Sequence, residues 1–272
     1  MNFFQKLEHA CRRNRSLVCA GLDPAFEKLP ECVRGSSTPF LDFNRAIIDA
    51  TRDWVACYKP QAAFYAGDDR DDELRETIAY IRERAPEIPV ILDVKRGDIG
   101  STAAQYAREA FERYDADAVT VNPYMGVDAV KPFLDHADKG VFVLCRNSNP
   151  GAVDLQDFSD GSGKRLFEHV AELVRDRWNC NHNAGLVVGA TYPDELRRLR
   201  EMCPELVFLV PGVGAQGGDL EKVIRYGCSP AAPCGVLVNS SRGIIFAGHG
   251  DDFAAAAGNA ARELRDQINS YR

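Results

Sequence analysis

The 272-residue sequence contains no apolar run that approaches the length of a transmembrane helix. Its first segment, MNFFQKLEHACRRN, lacks the long apolar stretch of a signal peptide and is typical of an amphipathic helix. The nine cysteines include no CxxC pair, and Cys19, Cys57 and Cys145 lie within apolar, strand-like runs. These absences argue against a membrane span and a disulfide framework, and they predict a reduced, soluble, cytoplasmic protein.

Positive charge is also in deficit. The 33 basic residues stand against 40 acidic ones, which gives a net charge of −7. This balance argues against a broad surface for nucleic acid or anionic membrane, so we expect neither as a partner. It does not exclude a local cationic pocket for a phosphorylated small molecule.

No stretch rich in Pro, Gly and Ser divides the chain, and residues 34–39 are expected to form only a loop. Instead, short apolar runs alternate with longer amphipathic segments. We expect strands at Leu17–Ala20, Val55–Lys59, Pro89–Lys95, Ala118–Asn122, Val141–Arg146, Gly185–Ala190, Leu206–Val210 and Gly235–Asn239. We expect helices around Phe40–Trp54, Asp71–Arg84, Ser101–Tyr114, Val127–His136, Gly163–Trp178, Asp194–Met202, Asp219–Tyr226 and Phe253–Ile268.

Continuous apolar strands are typical of a parallel sheet that is covered on both faces. Eight strand–helix units in a chain of this length predict an α/β protein, a single-domain (β/α)8 TIM barrel over residues 1–272 with a short N-terminal helix. A doubly wound open sheet is the main alternative.

A barrel places its active site at the carboxyl ends of its strands. Polar groups follow several of the expected strands at these ends, namely Asp23, Lys59, Asp93 with Lys95, Asn122 and Arg146. We therefore expect these residues on one rim.

Asp93 and Lys95 are two positions apart, so in an extended strand they point to the same face. Burying both charges costs several kcal/mol unless they pair. Lys59 and Asp23 are expected at the same rim, which would alternate two carboxylates with two ammonium groups and keep each Lys protonated. One interpretation is a lysine held charged as a proton donor, and the other is a structural ion-pair network.

The residues after this strand allow a simpler interpretation. A helix is expected to begin near Gly100–Ser101, and Asp98 would favour its positive end. Ser101 and Thr102 are typical N-terminal capping residues.

Two glycine-containing segments, PGVGAQGGD at 211–219 and SSRGI at 240–244, follow the last two expected strands. Glycine allows backbone N–H groups to approach an anion, Arg242 offers a fork for phosphate oxygens, and barrels often bind phosphate in these two loops. Alternatively, the glycines only permit tight turns. Gly212, Gly214 and Gly217 spell GxGxxG, but no acidic residue lies between Lys222 and Gly250, so we reject a dinucleotide site.

Other catalytic patterns have no support in the sequence. The five histidines, His9, His136, His169, His182 and His249, show no ligand spacing. No GxSxG elbow or Cys–His pairing is recognisable. We expect no metal site, although a carboxylate-only magnesium site stays open.

The segment DVKRGDIGST at 93–102 resembles the D-x-K-x-x-D signature of orotidine 5′-monophosphate decarboxylases. The resemblance extends over nearly the whole chain and is greatest to the longer-chain bacterial and archaeal subgroup. It rests on GLDP at 21–24, KPQAAFY at 59–65, VTVNPYMG at 119–126, LCRNSNPGA at 144–152, GLVVGATYP at 185–193, VPGVGAQGGD at 210–219 and NSSRGIIFAG at 239–248.

The resemblance implies a homodimer that converts orotidine 5′-monophosphate to UMP, the last step of de novo UMP biosynthesis. Lys95 would protonate C6 of the pyrimidine as carbon dioxide leaves, and Asp93 would lie against the substrate carboxylate. Lys59 and Asp98 would complete the charged array, and Asp98 and Thr102 would reach into the active site of the partner subunit.

The same resemblance implies that Asp23 binds the ribose and Ser148 the edge of the pyrimidine. Gln216 and Arg242 would contact the phosphate, and Pro211 would be a further substrate-binding residue. The family uses no metal and no organic cofactor. One departure is the acidic segment GDDRDDE at 67–73, where no substrate contact is assumed.

Three other functions remain to be separated by experiment. A related barrel lyase for sugar phosphates shares D-x-K-x-x-D but requires magnesium. An aldolase would form a Schiff base on Lys95. A non-catalytic barrel would bind UMP without turnover.

Overall fold

The computed structural model describes residues 1–213, 217–232 and 234–272. It contains eight strands in the order in which the sequence predicts them. They are β1 Val18–Leu22, β2 Cys57–Pro60, β3 Ile91–Arg96, β4 Ala118–Val121, β5 Gly140–Arg146, β6 Ala184–Val188, β7 Phe208–Val210 and β8 Val236–Ser240.

All strand pairs are parallel, and the neighbours run in the order β2-β1-β8-β7-β6-β5-β4-β3. The two outer strands of this order also meet, through single bridges that join Tyr58 to Val90 and Gln61 to Asp93. The sheet is therefore a nearly closed barrel. This confirms the predicted (β/α)8 fold and excludes the doubly wound open sheet.

Thirteen α-helices surround or cap the barrel in the described part of the chain. They are α1 Phe3–Asn14, α2 Glu31–Arg34, α3 Pro39–Thr51, α4 Ala62–Ala66, α5 Asp71–Arg84, α6 Gly100–Arg108, α7 Val127–Leu134, α8 Val153–Gln156, α9 Leu166–Leu173, α10 Pro193–Met202, α11 Leu220–Gly227, α12 Arg242–Ile245 and α13 Phe253–Ser270. Helices α6 and α9 continue into π-helical turns at Glu109–Arg113 and Val174–Trp178. The sequence predicted the long helices and α1 but not the short helices α2, α4, α8 and α12.

Helix α1 covers the amino-terminal end of the barrel. Its Phe3 and Phe4 make edge-to-face contacts with Phe142 of β5, at ring-centroid distances of 5.8 and 6.3 Å. Strand β5 begins with Gly140, where a Cβ atom would collide with the ring of Phe3. Packing of α1 against the barrel therefore requires a glycine at this point.

A buried cation lies at the same end of the barrel. The Arg200 guanidinium donates to the carbonyl oxygens of Gly227, Leu206 and Gly235, each at 2.7 Å, and stacks 3.8 Å above the ring of Phe208. Within the described residues it has no carboxylate partner. Burial lowers the pKa of Arg200 to about 10, so it stays charged at neutral pH and ties α10 and α11 to the starts of β7 and β8.

None of the helices in the described ranges has both the length and the apolar composition needed to cross a bilayer.

Candidate active site

Strand β3 is irregular where its charged residues lie. Leu92 pairs with Val119 of β4, but the next paired residue of β3 is Arg96, opposite Val121. Three residues of β3 therefore stand opposite the single residue Thr120. Within this bulge Lys95 has a φ of +48°, in the left-handed region that non-glycine residues seldom adopt.

The bulge brings the predicted charges together. Asp93 Oδ2 lies 2.9 Å from Lys59 Nζ, and Asp93 Oδ1 lies 2.6 Å from Lys95 Nζ. Lys59 and Asp93 are almost fully buried, whereas the Lys95 side chain is 43% exposed. Lys95 is thus the cation of this array that a ligand can reach.

Both buried members of the array are ionised at neutral pH. Burial alone would raise the pKa of Asp93, but Lys59 and Lys95 together hold it well below its usual range. Burial alone would lower the pKa of Lys59, and the carboxylates of Asp93 and Asp23 raise it above its usual range instead. The predicted alternation of charges is therefore present in one partly desolvated site.

Asp23 lies one residue beyond the end of β1. Its Oδ1 atom is buried and has no hydrogen-bond partner in the described part of the chain. A buried acceptor without a donor is uncommon in proteins. The unused acceptor makes Asp23 a candidate ligand-binding residue.

Two further residues, which sequence reasoning missed, contact the array of Lys59, Asp93 and Lys95. When the Gln61 amide nitrogen faces the carbonyl oxygen of Asp93, its side-chain oxygen lies 3.2 Å from Lys95 Nζ. The hydroxyl of Thr120 donates to Asp93 Oδ1 at 2.8 Å. The position of Gln61 two residues after Lys59 is the signal that could have identified it, whereas Thr120 is indistinguishable from an ordinary strand threonine.

The structure does not bring Asp98 to this array within one chain. Its Oδ1 accepts from the backbone N–H of Ile99 at 2.8 Å, and none of the ion pairs between described residues involves it. Helix α6 begins at Gly100 with Ile99 as its N-cap and without a side-chain cap. The prediction that Ser101 and Thr102 cap this helix is therefore wrong, because both lie inside its first turn, where they are exposed.

An ion pair fixes the end of β3 to the far end of α6. The Nη2 and Nε atoms of Arg96 lie 2.9 and 3.2 Å from Glu109 Oε2, at the first residue of the π-helical turn. The guanidinium also lies 4.4 Å from the ring centre of Tyr106. The bulge is thus held on its C-terminal side.

Two of the expected rim residues serve other purposes. Arg146 is 1% exposed and pairs with Glu195 of α10, with its guanidinium 4.0 Å from the ring centre of Tyr192. Its ion pair packs β5 against the helix layer. Asn122 Oδ1 accepts from the N–H of Tyr124 at 3.0 Å, which stabilises the loop after β4.

Two glycines in the described part of the loop after β7 have positive φ angles. Gly212 and Gly217 have φ values of +96° and +78°, so both positions favour glycine. The half-buried Pro211 accepts from the N–H of Ala190 at 2.9 Å. Gln216 lies outside the described residues, so its expected contact is not placed.

Arg242 is the first residue of α12 and is exposed. In the ranges that the structure describes, its guanidinium has no carboxylate partner. The residue before it, Ser241, crosses so close to Gly21 of β1 that a Cβ atom there would collide with it. The glycine of the GLDP motif therefore lets the start of α12, which carries Arg242, lie close to the end of β1.

Ser148 lies in the loop after β5 and is half-buried. A Cβ atom at Gly189 would lie 2.7 Å from its backbone nitrogen, so glycine is required for this close approach. The carbonyl oxygen of Ser148 accepts from the hydroxyl of Thr191 at 3.3 Å. These contacts hold the Ser148 loop against the end of β6.

Comparison with known proteins adds to this geometry. Residues 16–257 match the model of the "Orotidine 5′-phosphate decarboxylase / HUMPS family". The chain is 52% identical to an orotidine 5′-phosphate decarboxylase of Ralstonia nicotianae and 53% identical to one of Aromatoleum aromaticum, each over 272 residues and 100% of both chains.

A solved structure agrees with the sequence relatives. The orotidine monophosphate decarboxylase of Leishmania donovani is 39% identical, with a TM-score of 0.85. The alignment covers 100% of this chain and 98% of that one. The similarity therefore includes every strand end described above.

Proposed function

The chain belongs to the orotidine 5′-phosphate decarboxylase / HUMPS family, and from that premise we propose which of its residues perform the reaction. The protein is a carboxy-lyase that converts orotidine 5′-monophosphate to UMP in pyrimidine biosynthesis. The observation that supports the assignment of roles is the array Lys59–Asp93–Lys95, in which only Lys95 is accessible to a ligand.

Lys95 is the proton donor. When the bond between C6 and the carboxylate breaks, its electron pair stays on C6 and carbon dioxide leaves. A proton from Lys95 Nζ then forms the new C6–H bond, and Lys95 recovers a proton from water. A cation that is fixed in place before the reaction stabilises the carbanion without reorganising, which is the kind of contribution that dominates many enzymes.

Asp93 and Lys59 hold that cation and set the charge around it. Because Lys59 keeps Asp93 ionised, the substrate carboxylate binds beside a negative charge, and loss of carbon dioxide removes their repulsion. Asp98 completes the array of the partner subunit. In support of this, Asp98 contacts neither Lys59 nor Lys95 within its own chain.

The remaining predicted residues bind the substrate away from the reacting carbon. Asp23 binds the ribose, which its unsatisfied carboxylate supports, and Ser148 contacts the pyrimidine. Pro211, Gln216 and Arg242 form the phosphate end. Arg242 is supported by its exposure and by the glycine-dependent position of its loop. Binding energy at this distant group can serve to organise the site.

The protein acts as a homodimer in which Asp98 and Thr102 enter the site of the partner subunit. Support comes from large apolar side chains that are exposed on the segments following β2, β3 and β4, which are neighbouring strands of the barrel, and Asp98 itself follows β3. They are Phe64, Ile99, Tyr124, Met125 and Val127. Clusters of exposed apolar residues mark interaction surfaces, and a two-fold axis would place each Asp98 near the other subunit.

Mixing two inactive variants tests the shared site. In a heterodimer of Lys95→Ala and Asp98→Ala chains, one site has both mutations and the other has none. Random exchange therefore restores about a quarter of the wild-type activity, because half of the dimers each carry one intact site. If the mixture stays as inactive as its components after subunit exchange, Asp98 acts within its own chain.

The chain acts as one domain in the cytoplasm. All nine cysteines are free thiols, which fits a reducing compartment. Cell fractionation tests the location, and decarboxylase activity in a membrane or periplasmic fraction would contradict it.

The reaction proceeds without a metal. The decrease in absorbance of orotidine 5′-monophosphate on conversion to UMP, measured with EDTA present, tests this directly. We expect undiminished turnover in EDTA. Activity that appears only after magnesium is added would contradict the proposal and favour the chemistry of the sugar-phosphate lyases.

A further inference from the structure

Thr120 of β4 occupies the centre of the β3 bulge and is 1% exposed. Its hydroxyl donates to Asp93 Oδ1 at 2.8 Å. The same oxygen accepts from the backbone N–H of Val94 at 3.1 Å and from that of Lys95 at 3.0 Å. One hydroxyl thus contacts the carboxylate of Asp93 and the peptide from which Lys95 extends.

These three bonds use the full capacity of the hydroxyl, which has one donor and two acceptor sites. In a regular parallel pair the strand carbonyls of β4 would accept from β3. Because the register shifts between Leu92 and Arg96, the N–H groups of Val94 and Lys95 turn to Thr120 instead. The side chain of Thr120 therefore replaces the missing part of the ladder.

The arrangement also fixes the geometry of the charged pair. Lys95 has a φ of +48°, a conformation that an isolated lysine leaves readily. Thr120 holds its backbone nitrogen at one end, and Asp93 holds its ammonium group at the other. Since Asp93 is itself held by Thr120, the hydroxyl sets where both members of the pair lie.

We propose that Thr120 is a positioning residue for the decarboxylation, which directs the Lys95 ammonium by binding the Asp93 carboxylate and the Lys95 backbone together. This inference rests on the proposed role of Lys95 as proton donor. Thr120 does not touch the substrate, so its loss affects the chemical step and leaves nucleotide binding unchanged.

Two pairs of variants isolate the hydroxyl. Thr120→Val keeps the shape of threonine and removes the oxygen, and Thr120→Ser keeps the oxygen and removes the methyl group. Thr120→Ala compared with Thr120→Ser repeats the deletion in a smaller side chain, which serves if Thr120→Val does not fold. The readouts are the single-turnover rate constant, the affinity for UMP and the thermal midpoint.

We expect Thr120→Val to lower the single-turnover rate constant roughly 10- to 100-fold, because small misplacements of a reacting group are costly. The affinity for UMP should change by less than about threefold, and Thr120→Ser should keep most of the wild-type rate.

The matched control is Thr51→Val. Thr51 is also fully buried, but its hydroxyl contacts the carbonyl of Ile47 and the hydroxyl of Tyr58, away from the array. The Thr51→Val substitution should lower the thermal midpoint without changing the single-turnover rate constant of the folded protein.

The proposal is overturned if folded Thr120→Val reacts at the wild-type rate while Lys95→Ala is inactive. It is likewise overturned if folded Thr120→Ala reacts as fast as Thr120→Ser while Lys95→Ala is inactive. An equal loss of rate in Thr51→Val would also overturn it, because the effect would then be general. A fully active Lys95→Ala would instead refute the role of Lys95, whatever the Thr120 variants do.

Discussion

The two ends of the barrel each bury a cation, but they hold it in different ways. At the carboxyl end Lys59 pairs with the carboxylate of Asp93 at 2.9 Å. At the amino end Arg200 is surrounded by backbone carbonyl oxygens, including those of Gly227 and Gly235 at 2.7 Å. Lys59 is therefore held by a charged side chain, and Arg200 is held by backbone carbonyl oxygens.

This difference separates two tasks of the fold. Backbone oxygens are fixed by the strands and helices that carry them, so Arg200 can only stabilise the arrangement around it. Asp93 binds a second cation, Lys95, which is open to a ligand. In barrels the amino end serves stability and the carboxyl end serves function, and the two buried cations follow this division.

The largest expected effect tests the carboxyl end. Replacing the proton donor in Lys95→Ala should lower the single-turnover rate constant by roughly 10⁴-fold or more, because proton transfer and charge stabilisation are lost together. UMP binding and the thermal midpoint should change little, since the side chain is 43% exposed.

The control for that variant is Lys131→Ala. It removes an exposed lysine of α7 that pairs with Asp135. It should be fully active. A Lys95→Ala protein that unfolds easily but decarboxylates normally would reverse the comparison between the two ends.

The next effect tests the amino end. Arg200→Met should lower the free energy of unfolding by about 3 kcal/mol or more, because several buried carbonyl oxygens lose their donors. Activity should be unchanged at temperatures where the variant is folded. Denaturant titration and kcat measured on the same samples check both statements. Arg200→Lys should have an intermediate effect on the free energy of unfolding, because it keeps the charge but lacks the planar guanidinium group.

A smaller effect concerns substrate binding at the carboxyl end. Arg242→Ala should raise KM for orotidine 5′-monophosphate roughly 10- to 100-fold, since a charged hydrogen bond to phosphate is lost. Arg225→Ala on α11, which removes an exposed arginine paired with Glu221, is the matched control. An unchanged KM in Arg242→Ala would remove Arg242 from the phosphate site.

The smallest effect is the dependence of stability on pH. Because the folded pKa of Asp93 lies below its ordinary value of 3.8, its stabilising contribution is present above that value and is lost as pH falls through the folded pKa. The difference in unfolding free energy between wild type and Asp93→Asn should thus be constant near neutral pH. It should shrink by on the order of 1 kcal/mol in acid. A difference that grows on acidification would contradict this.

Much of the fold could be predicted from the sequence, because parallel strands covered on both faces must be apolar throughout. Spacing also predicted that Asp93 and Lys95 meet. The bulge between them could not be predicted, since it depends on the register between β3 and β4. For the same reason Thr120 was missed, because a threonine within an apolar run is typical of any strand.

Arg146 ends β5 as expected, but it forms an ion pair with Glu195 instead of facing a ligand. Glu195 lies 49 residues away, beyond the reach of local patterns. The capping of α6 was misplaced because Ile99, a poor cap by type, occupies the N-cap position. The role of Arg146 therefore depends on a tertiary contact, whereas Ile99 is exposed at its N-cap position.

The left-handed backbone of Lys95 has a consequence for protein engineering. Glycine and asparagine tolerate this conformation better than lysine does. A library selected for thermal stability alone should therefore enrich these residues at position 95 and lose its decarboxylase activity, whereas a combined selection should keep lysine. At this position the residue that best suits the backbone differs from the one that the proposed reaction needs.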